Sequence, residues 1–331
     1  QAADFPMPIL VGRFIGYATD NYFVSSTSSY LPNISVGRLP TNNPTEVASY
    51  IEKIIAYEDG TSTPKAKALG ASFIAGEELY VNGDGFSARI DELSKIPSRL
   101  SSDIIDHKVL GSNAATKTAI LDRFNTDAPL LMTYMGHGAP NLWGSLSLLQ
   151  NTDFDALQNQ ELPIVMSLNC ENTMFYDPDR SQSFKTVGES LVLNPDGGAI
   201  SFIGSSTQTT PVAQMYYANA FLQALNKKIN NPYTRTTVGE LFNEAKIAIG
   251  SDVYSADVVK SMMLFGDPSV SLPKEIFAAA PVAAPAEGKK KGFGCSAGAS
   301  DGTTHIPWYE GVLEMLLLLA LTFGLRRFIK V

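Results

Sequence analysis

Two short apolar runs organise the middle of the chain. Residues 129–135 and 162–168 are rich in β-formers and bounded by turn residues, so each is predicted to be a buried strand. Gly136-His137-Gly138 closes the first run and Asn169-Cys170-Glu171 the second. To either side, up to about residue 275, apolar runs alternate with amphipathic stretches, the pattern of repeated βα units. Residues 9–12 and 34–40 read as strand ends, and 68–75, 104–109, 198–204 and 262–268 as further strands or strand-turn segments. Helices are expected over 44–58, 86–93, 115–124, 184–193, 212–229 and 236–249. For the first of these, Asn43 is the expected cap and Val47, Tyr50, Ile51, Ile54 and Ile55 the apolar face.

The pattern changes after residue 276. Residues 276–294 are rich in Ala, Pro and Lys and predict an extended linker. Residues 312–325 are almost wholly apolar, interrupted by Glu314, and Arg326-Arg327 and Lys330 follow. Counted from Ile306, the stretch is roughly 20 residues, enough for a transmembrane helix, with Trp308 and Tyr309 at the outer interface and the basic end in the cytoplasm. The expected division is 1–62, part of an N-terminal subdomain; 63–275, a catalytic subdomain; 276–294, the linker; and 295–331, the tail.

Composition narrows the function. Of 331 residues, 44% are hydrophobic and 18% charged, which suits a well-cored globular protein. The net charge of −8 argues against nucleic acid as a partner. Only two cysteines are present, Cys170 at a strand end and Cys295 in the tail, so neither a disulfide framework nor a zinc site is expected. A catalytic histidine must be His107, His137 or His305. The chain begins at Gln1 rather than Met and reads as a mature or truncated form, so the lack of a leader says nothing about export.

His137 and Cys170 each end a strand, 33 positions apart, where open α/β sheets bind ligands. A thiolate and an imidazole are the minimum apparatus for covalent attack on a carbonyl. Cys170 is the candidate nucleophile and His137 its base, forming a thiolate–imidazolium pair and later protonating the leaving amine. The backbone N–H groups of Gly138 and Cys170 are candidate oxyanion donors. Glu77, in the loop after the 68–75 strand, is a carboxylate that could reach and orient the imidazole, and Asp84 lies in the same loop. Each residue alone is compatible with an ordinary buried histidine and core thiol; the pairing at two strand ends favours chemistry.

These residues resemble the gingipain-type cysteine peptidases of peptidase family C25, relatives of the caspases. The resemblance is carried by Tyr134-Met135-Gly136-His137-Gly138 with Trp143, Asn169-Cys170-Glu171-Asn172 with Phe175, the segment 34–40 before the first long helix, and the closing Leu264-Phe265-Gly266-Asp267-Pro268-Ser269. It implies a caspase-like α/β sandwich with a mostly parallel sheet and a His137–Cys170 dyad. It implies Glu77 as the acid assisting His137, Asp84 as the base of the S1 pocket, and Trp143, Ser205 and Gln208 as further substrate contacts. Calcium is the one cofactor the family suggests, at Asp177 and Asp179; none is required, and two carboxylates fall short of the about six oxygens calcium needs. Against the family pattern, the front of the N-terminal subdomain is expected to be missing before Gln1, and no immunoglobulin-like domain follows Pro273.

The tail resembles bacterial three-part sorting signals: a Gly-Cys motif at Gly294-Cys295, an apolar span and a basic end. That resemblance implies processing at Cys295 by an intramembrane protease; a simple membrane anchor is the alternative. Together these features predict an exported bacterial cysteine endopeptidase at the cell surface, acting on protein or peptide substrates. A sortase-like transpeptidase and a non-catalytic adhesion module are the competing readings.

Overall fold

The two apolar runs form neighbouring strands near the centre of a single sheet. The computed structural model describes residues 5–6, 16–26, 31–64, 69–78, 83–144, 148–176, 184–231, 235–250 and 256–277. All belong to the unit Gln1–Ala280. A short antiparallel pair, β1 (Phe5–Pro6) and β2 (Gly16–Tyr17), comes first, followed by one helical turn, α1 (Asn21–Val24), and helix α2 (Pro44–Glu58). Next come β3 (Gly70–Ala75), α3 (Phe86–Ser94), β4 (Ser101–Asp106), α4 (His107–Leu110), α5 (Asn113–Asp127) and β5 (Leu131–Met135). The very short strands β6 (Gly138–Ala139), β7 (Leu142–Trp143) and β8 (Leu149–Gln150) form a small antiparallel sheet directly after β5. After α6 (Asn151–Asp155) come β9 (Ile164–Leu168), α7 (Val187–Leu193) and β10 (Ser201–Ser205). Helices α8 (Pro211–Ile229), α9 (Val238–Ile249) and α10 (Ala256–Ser261) precede β11 (Met262–Phe265).

The main sheet runs β11-β10-β9-β5-β3-β4. Five strands are parallel, and β11 closes the edge antiparallel to β10. The chain steps outward from β3 to β4, returns to β5 on the other side of β3, then continues to β9 and β10. Such a reversal opens a crevice at the carboxyl ends of the central strands. Ala75 pairs with Met135, and Met135 with Leu168, so β3, β5 and β9 end at one level.

Alternate side chains feed two cores. Phe73, Met135, Met166 and Leu168 pack with Ile90 of α3, Phe221 and Leu222 of α8 and Phe242 of α9. Ile74, Met132, Tyr134 and Val165 pack with Phe124 of α5, Phe154 of α6 and Leu191 of α7 on the opposite face. This is the mostly parallel α/β sandwich expected. Each such side chain contributes roughly 1.5–3 kcal/mol of burial, which is why a continuously apolar run commits to the sheet interior.

Several local expectations are corrected. The buried face of α2 carries Tyr50, Lys53 and Tyr57, whereas Ile51 and Ile55 are about half exposed. Lys53 turns inward because its Nζ donates to the carbonyls of Val192, Asn194 and Gly197 at 2.8–3.0 Å. The strand expected over 104–109 runs instead from Ser101 to Asp106, because Asp106 accepts from Lys108 N–H and starts a helical turn. Residues 34–40 contribute only an isolated bridge, Arg38 to Phe265. Helix α7 begins later than expected because Thr186 and Glu189 form a reciprocal cap there. The strand expected at 9–12, residues 278–294 of the linker and the tail lie outside the described residues; Ile276 and Phe277, expected in the linker, are instead buried in a 3-10 turn over Lys274–Phe277. No helix of the described residues is long and apolar enough to cross a membrane.

Candidate active site

The loops after β3, β5 and β9 meet at the crevice. Met135 and Leu168 are register partners, so His137 and Cys170 each stand two residues beyond a matched pair. Gly136 N–H donates to the Leu168 carbonyl at 3.3 Å, keeping the two chains together as they leave the sheet. Gly138 lies so close to the Asn169 side chain that a Cβ there would collide with it. The glycine is therefore required by the close approach of the two loops.

The backbone of His137 is held at its carbonyl, which accepts from the Tyr134 hydroxyl at 2.9 Å and from Gly144 N–H at 2.8 Å. Its ring meets the Phe86 ring edge-on at 5.3 Å, and its Nε2 lies 3.1 Å from Asp84 Oδ2. The Asp84 carboxylate is 8% exposed and the imidazole 30%. A carboxylate only accepts, so this contact holds the proton on Nε2 and leaves Nδ1 as the basic nitrogen.

Cys170 is a free thiol, and its Sγ donates to the Thr209 carbonyl at 3.6 Å. Burial pushes the thiol above its ordinary range, and the Glu171 carboxylate acts in the same direction. Glu171 itself has φ 65°, the left-handed region, where a non-glycine residue is strained. Among the described residues nothing accepts from the Cys170 N–H, which leaves that amide available to a ligand.

The remaining expected site residues fall in different places. Glu77 is 5% exposed and sits behind the His loop: a Cβ on Gly144 would lie 3.1 Å from its Oε1. Its charge, after burial, helps push the Tyr134 phenol above its ordinary range. The carboxylate at the imidazole is Asp84, not Glu77. Trp143, expected at the substrate, is fully buried; it stacks on Tyr134 at 4.3 Å and 3°. Ser205 is also fully buried, with its hydroxyl between Thr207 O and Ser261 Oγ. Gln208 is exposed, in the 205–210 segment that runs beside the Cys loop through Glu171 N–H to Thr207 O. Asp177, Asp179 and Cys295 lie outside the described residues, and among the described residues no cluster of three or more His, Cys, Asp or Glu could hold a metal.

One residue without an assigned role proves central to the geometry. Asn172 is wholly buried, and its Oδ1 accepts from Trp143 Nε1 at 2.8 Å, Ser167 Oγ at 2.9 Å and Asn169 Nδ2 at 2.6 Å. Its Nδ2 donates to the Ala139 and Leu142 carbonyls at 2.6 and 3.2 Å. Its position beside Cys170 in the motif was visible in sequence; its partners across the fold were not.

Comparison with known proteins agrees with this architecture. The crystal structure of the Arg-specific cysteine proteinase gingipain R superposes with a TM-score of 0.64 at 19% identity, covering 78% of this chain and 60% of that one. The complex of Porphyromonas gingivalis RgpB pro- and mature domains gives the same TM-score, 0.64, at 20% identity over 78% of this chain and 62% of the other. In sequence, Lys-gingipain of Porphyromonas gingivalis is 26% identical over 195 residues, 59% of this chain. The aligned part is 11% of that relative's length, so this chain spans a small share of the curated relatives it matches. The sequence model of peptidase family C25 matches residues 3–273, and the chain belongs to that family.

Proposed function

We propose that this protein is a cysteine endopeptidase that cleaves peptide bonds through Cys170 and His137. The observation that carries the reading is the register-matched exit of β5 and β9, which delivers an imidazole and a free thiol to one crevice of a family C25 fold. Burial raises the pKa of the Cys170 thiol, and in this reading His137 acts as a general base during attack. As Sγ bonds to the substrate carbonyl carbon, its proton passes to Nδ1 and the carbonyl electrons move to oxygen. The N–H groups of Cys170 and Gly138 receive that oxyanion. The imidazolium then protonates the leaving amine, the C–N bond breaks, and water activated by the same imidazole releases the acyl group from sulfur. Asp84 holds the Nε2 proton and steadies the imidazolium while it exists.

The substrate in this reading is an extended protein or peptide segment. The same reading places the catalytic unit outside the cytoplasm, on the strength of the apolar tail and its basic Arg326-Arg327 end. Hydrolysis of a quenched fluorescent peptide library by the native protein and by Cys170→Ala tests it. Activity is expected only in the native protein, and comparable turnover by Cys170→Ala would overturn the assignment.

A further inference from the structure

Asn172 uses its whole hydrogen-bonding capacity inside the protein. Three donors converge on Oδ1, and both Nδ2 protons meet carbonyl oxygens. The amide orientation follows from these partners, since the reversed amide would face carbonyls with oxygen and donors with nitrogen. The partners come from two different loops. Ser167 and Asn169 precede the nucleophile on its own strand and loop, while Ala139, Leu142 and Trp143 belong to the β6–β7 hairpin that follows His137. The hairpin is tied in turn to His137, because Trp143 stacks on Tyr134 and the Tyr134 hydroxyl holds the His137 carbonyl.

The start of α7 clasps the same two loops. Gly188 N–H donates to the Asn172 carbonyl at 3.1 Å and Val187 N–H to the Pro140 carbonyl at 2.8 Å. Phe175, further along the Cys loop, lies under the Arg38 guanidinium at 4.5 Å. A buried amide that satisfies five partners in a low-dielectric setting adopts one geometry, and its neighbours inherit it.

From this we infer that Asn172 is the positioning residue that registers the Cys170 loop against the His137 loop. It touches no reacting atom; it acts by fixing where the thiol stands relative to the imidazole. The inference rests on the catalytic reading above. Misplacement by about 1 Å costs on the order of 10²-fold in rate, so a single buried amide is enough to matter.

The test is a double-mutant cycle read by alkylation of Cys170 with iodoacetamide, alongside kcat and KM on a peptide substrate. In the native background His137→Ala should slow alkylation, since the base is lost. In the Asn172→Ala background the same change should have little effect, because the two loops are already uncoupled. Asn172→Ala alone should lower kcat roughly 100-fold with KM little changed. Equal slowing by His137→Ala in both backgrounds, with kcat preserved in Asn172→Ala, would overturn the proposal. No slowing in the native background would instead refute the Cys170–His137 reading, so the two failures are distinct. If Asn172→Ala does not fold, Trp143→Phe and Ser167→Ala each remove one donor to Oδ1 and leave most packing in place. Each should reduce kcat about tenfold with a native near-ultraviolet spectrum, and unchanged kcat in both would reject the inference.

Discussion

Asp84 and His137 lie 53 positions apart in sequence and meet at 3.1 Å, carboxylate to Nε2. The contact brings the loop after β3 to the loop after β5 across the point where the sheet reverses direction. In the proposed mechanism it sets which nitrogen of His137 acts as base, and it engages Asp84 in a bond that a pocket-base role would leave open to substrate.

Asp84→Asn should therefore lower kcat by about 10²-fold or more, because the amide no longer stabilises the imidazolium. The loss should be the same for substrates with basic and neutral P1 residues. Steady-state kinetics on a matched pair of peptides checks this. A loss confined to basic P1 substrates would assign Asp84 to the S1 pocket instead. Glu77→Gln should cost far less, since Glu77 lies behind the His loop at Gly144.

The buried thiol has a pH signature. With its pKa raised by burial, Cys170 carries less thiolate at neutral pH than an exposed cysteine. Iodoacetamide labelling of the free enzyme should be slow at neutral pH and still climbing above the usual thiol range near pH 8.5. A plateau below pH 7 would show a preformed ion pair instead.

Glu171 follows Cys170 with φ 65°. A β-branched residue tolerates that region poorly, whereas glycine adopts it freely. Glu171→Val should be less stable than Glu171→Gly by about 1–3 kcal/mol. Comparing the two variants cancels whatever the Glu171 side chain contributes. Urea denaturation measures the difference, and equal midpoints would show that the turn can relax.

Lys246 ties three elements together: Nζ donates to Asn21 Oδ1 at 2.7 Å and to Met262 O at 2.6 Å, and lies 4.2 Å from the Phe242 ring centroid. Burial nevertheless pulls its pKa down to about 7. In the unfolded chain the value returns to about 10.4, so between these limits the unfolded state holds more protons and stability rises with pH. Lys53, also lowered to about 7 by burial, adds to the same slope. Denaturation midpoints should climb from pH 7 to pH 9, and Lys246→Met should flatten the climb. An unchanged slope in Lys246→Met would mean that its ammonium is as well solvated inside as outside.

The strands that end before His137 and Cys170 were readable from local pattern, since a short apolar run rich in β-formers and bounded by turn residues fits a buried strand. Local sequence also determined the start of α2, because the cap at Asn43 is a contact between near neighbours: its side chain accepts from Thr45 N–H. That the strands ending before His137 and Cys170 finish at one edge of the sheet was legible for the same reason: a parallel βα pattern places strand ends together. Partners chosen across elements depend on the assembled fold. Asp84, not Glu77, came to lie against the imidazole. The three carbonyls near α7 and β10 drew Lys53 inward where periodicity had placed isoleucines. Trp143 was turned from an expected substrate contact into a buried support by Tyr134 and Asn172. Hydrophobic periodicity reports which way a residue faces within its own element, but a hydrogen bond between distant loops depends on sheet register and loop path, which no local pattern encodes.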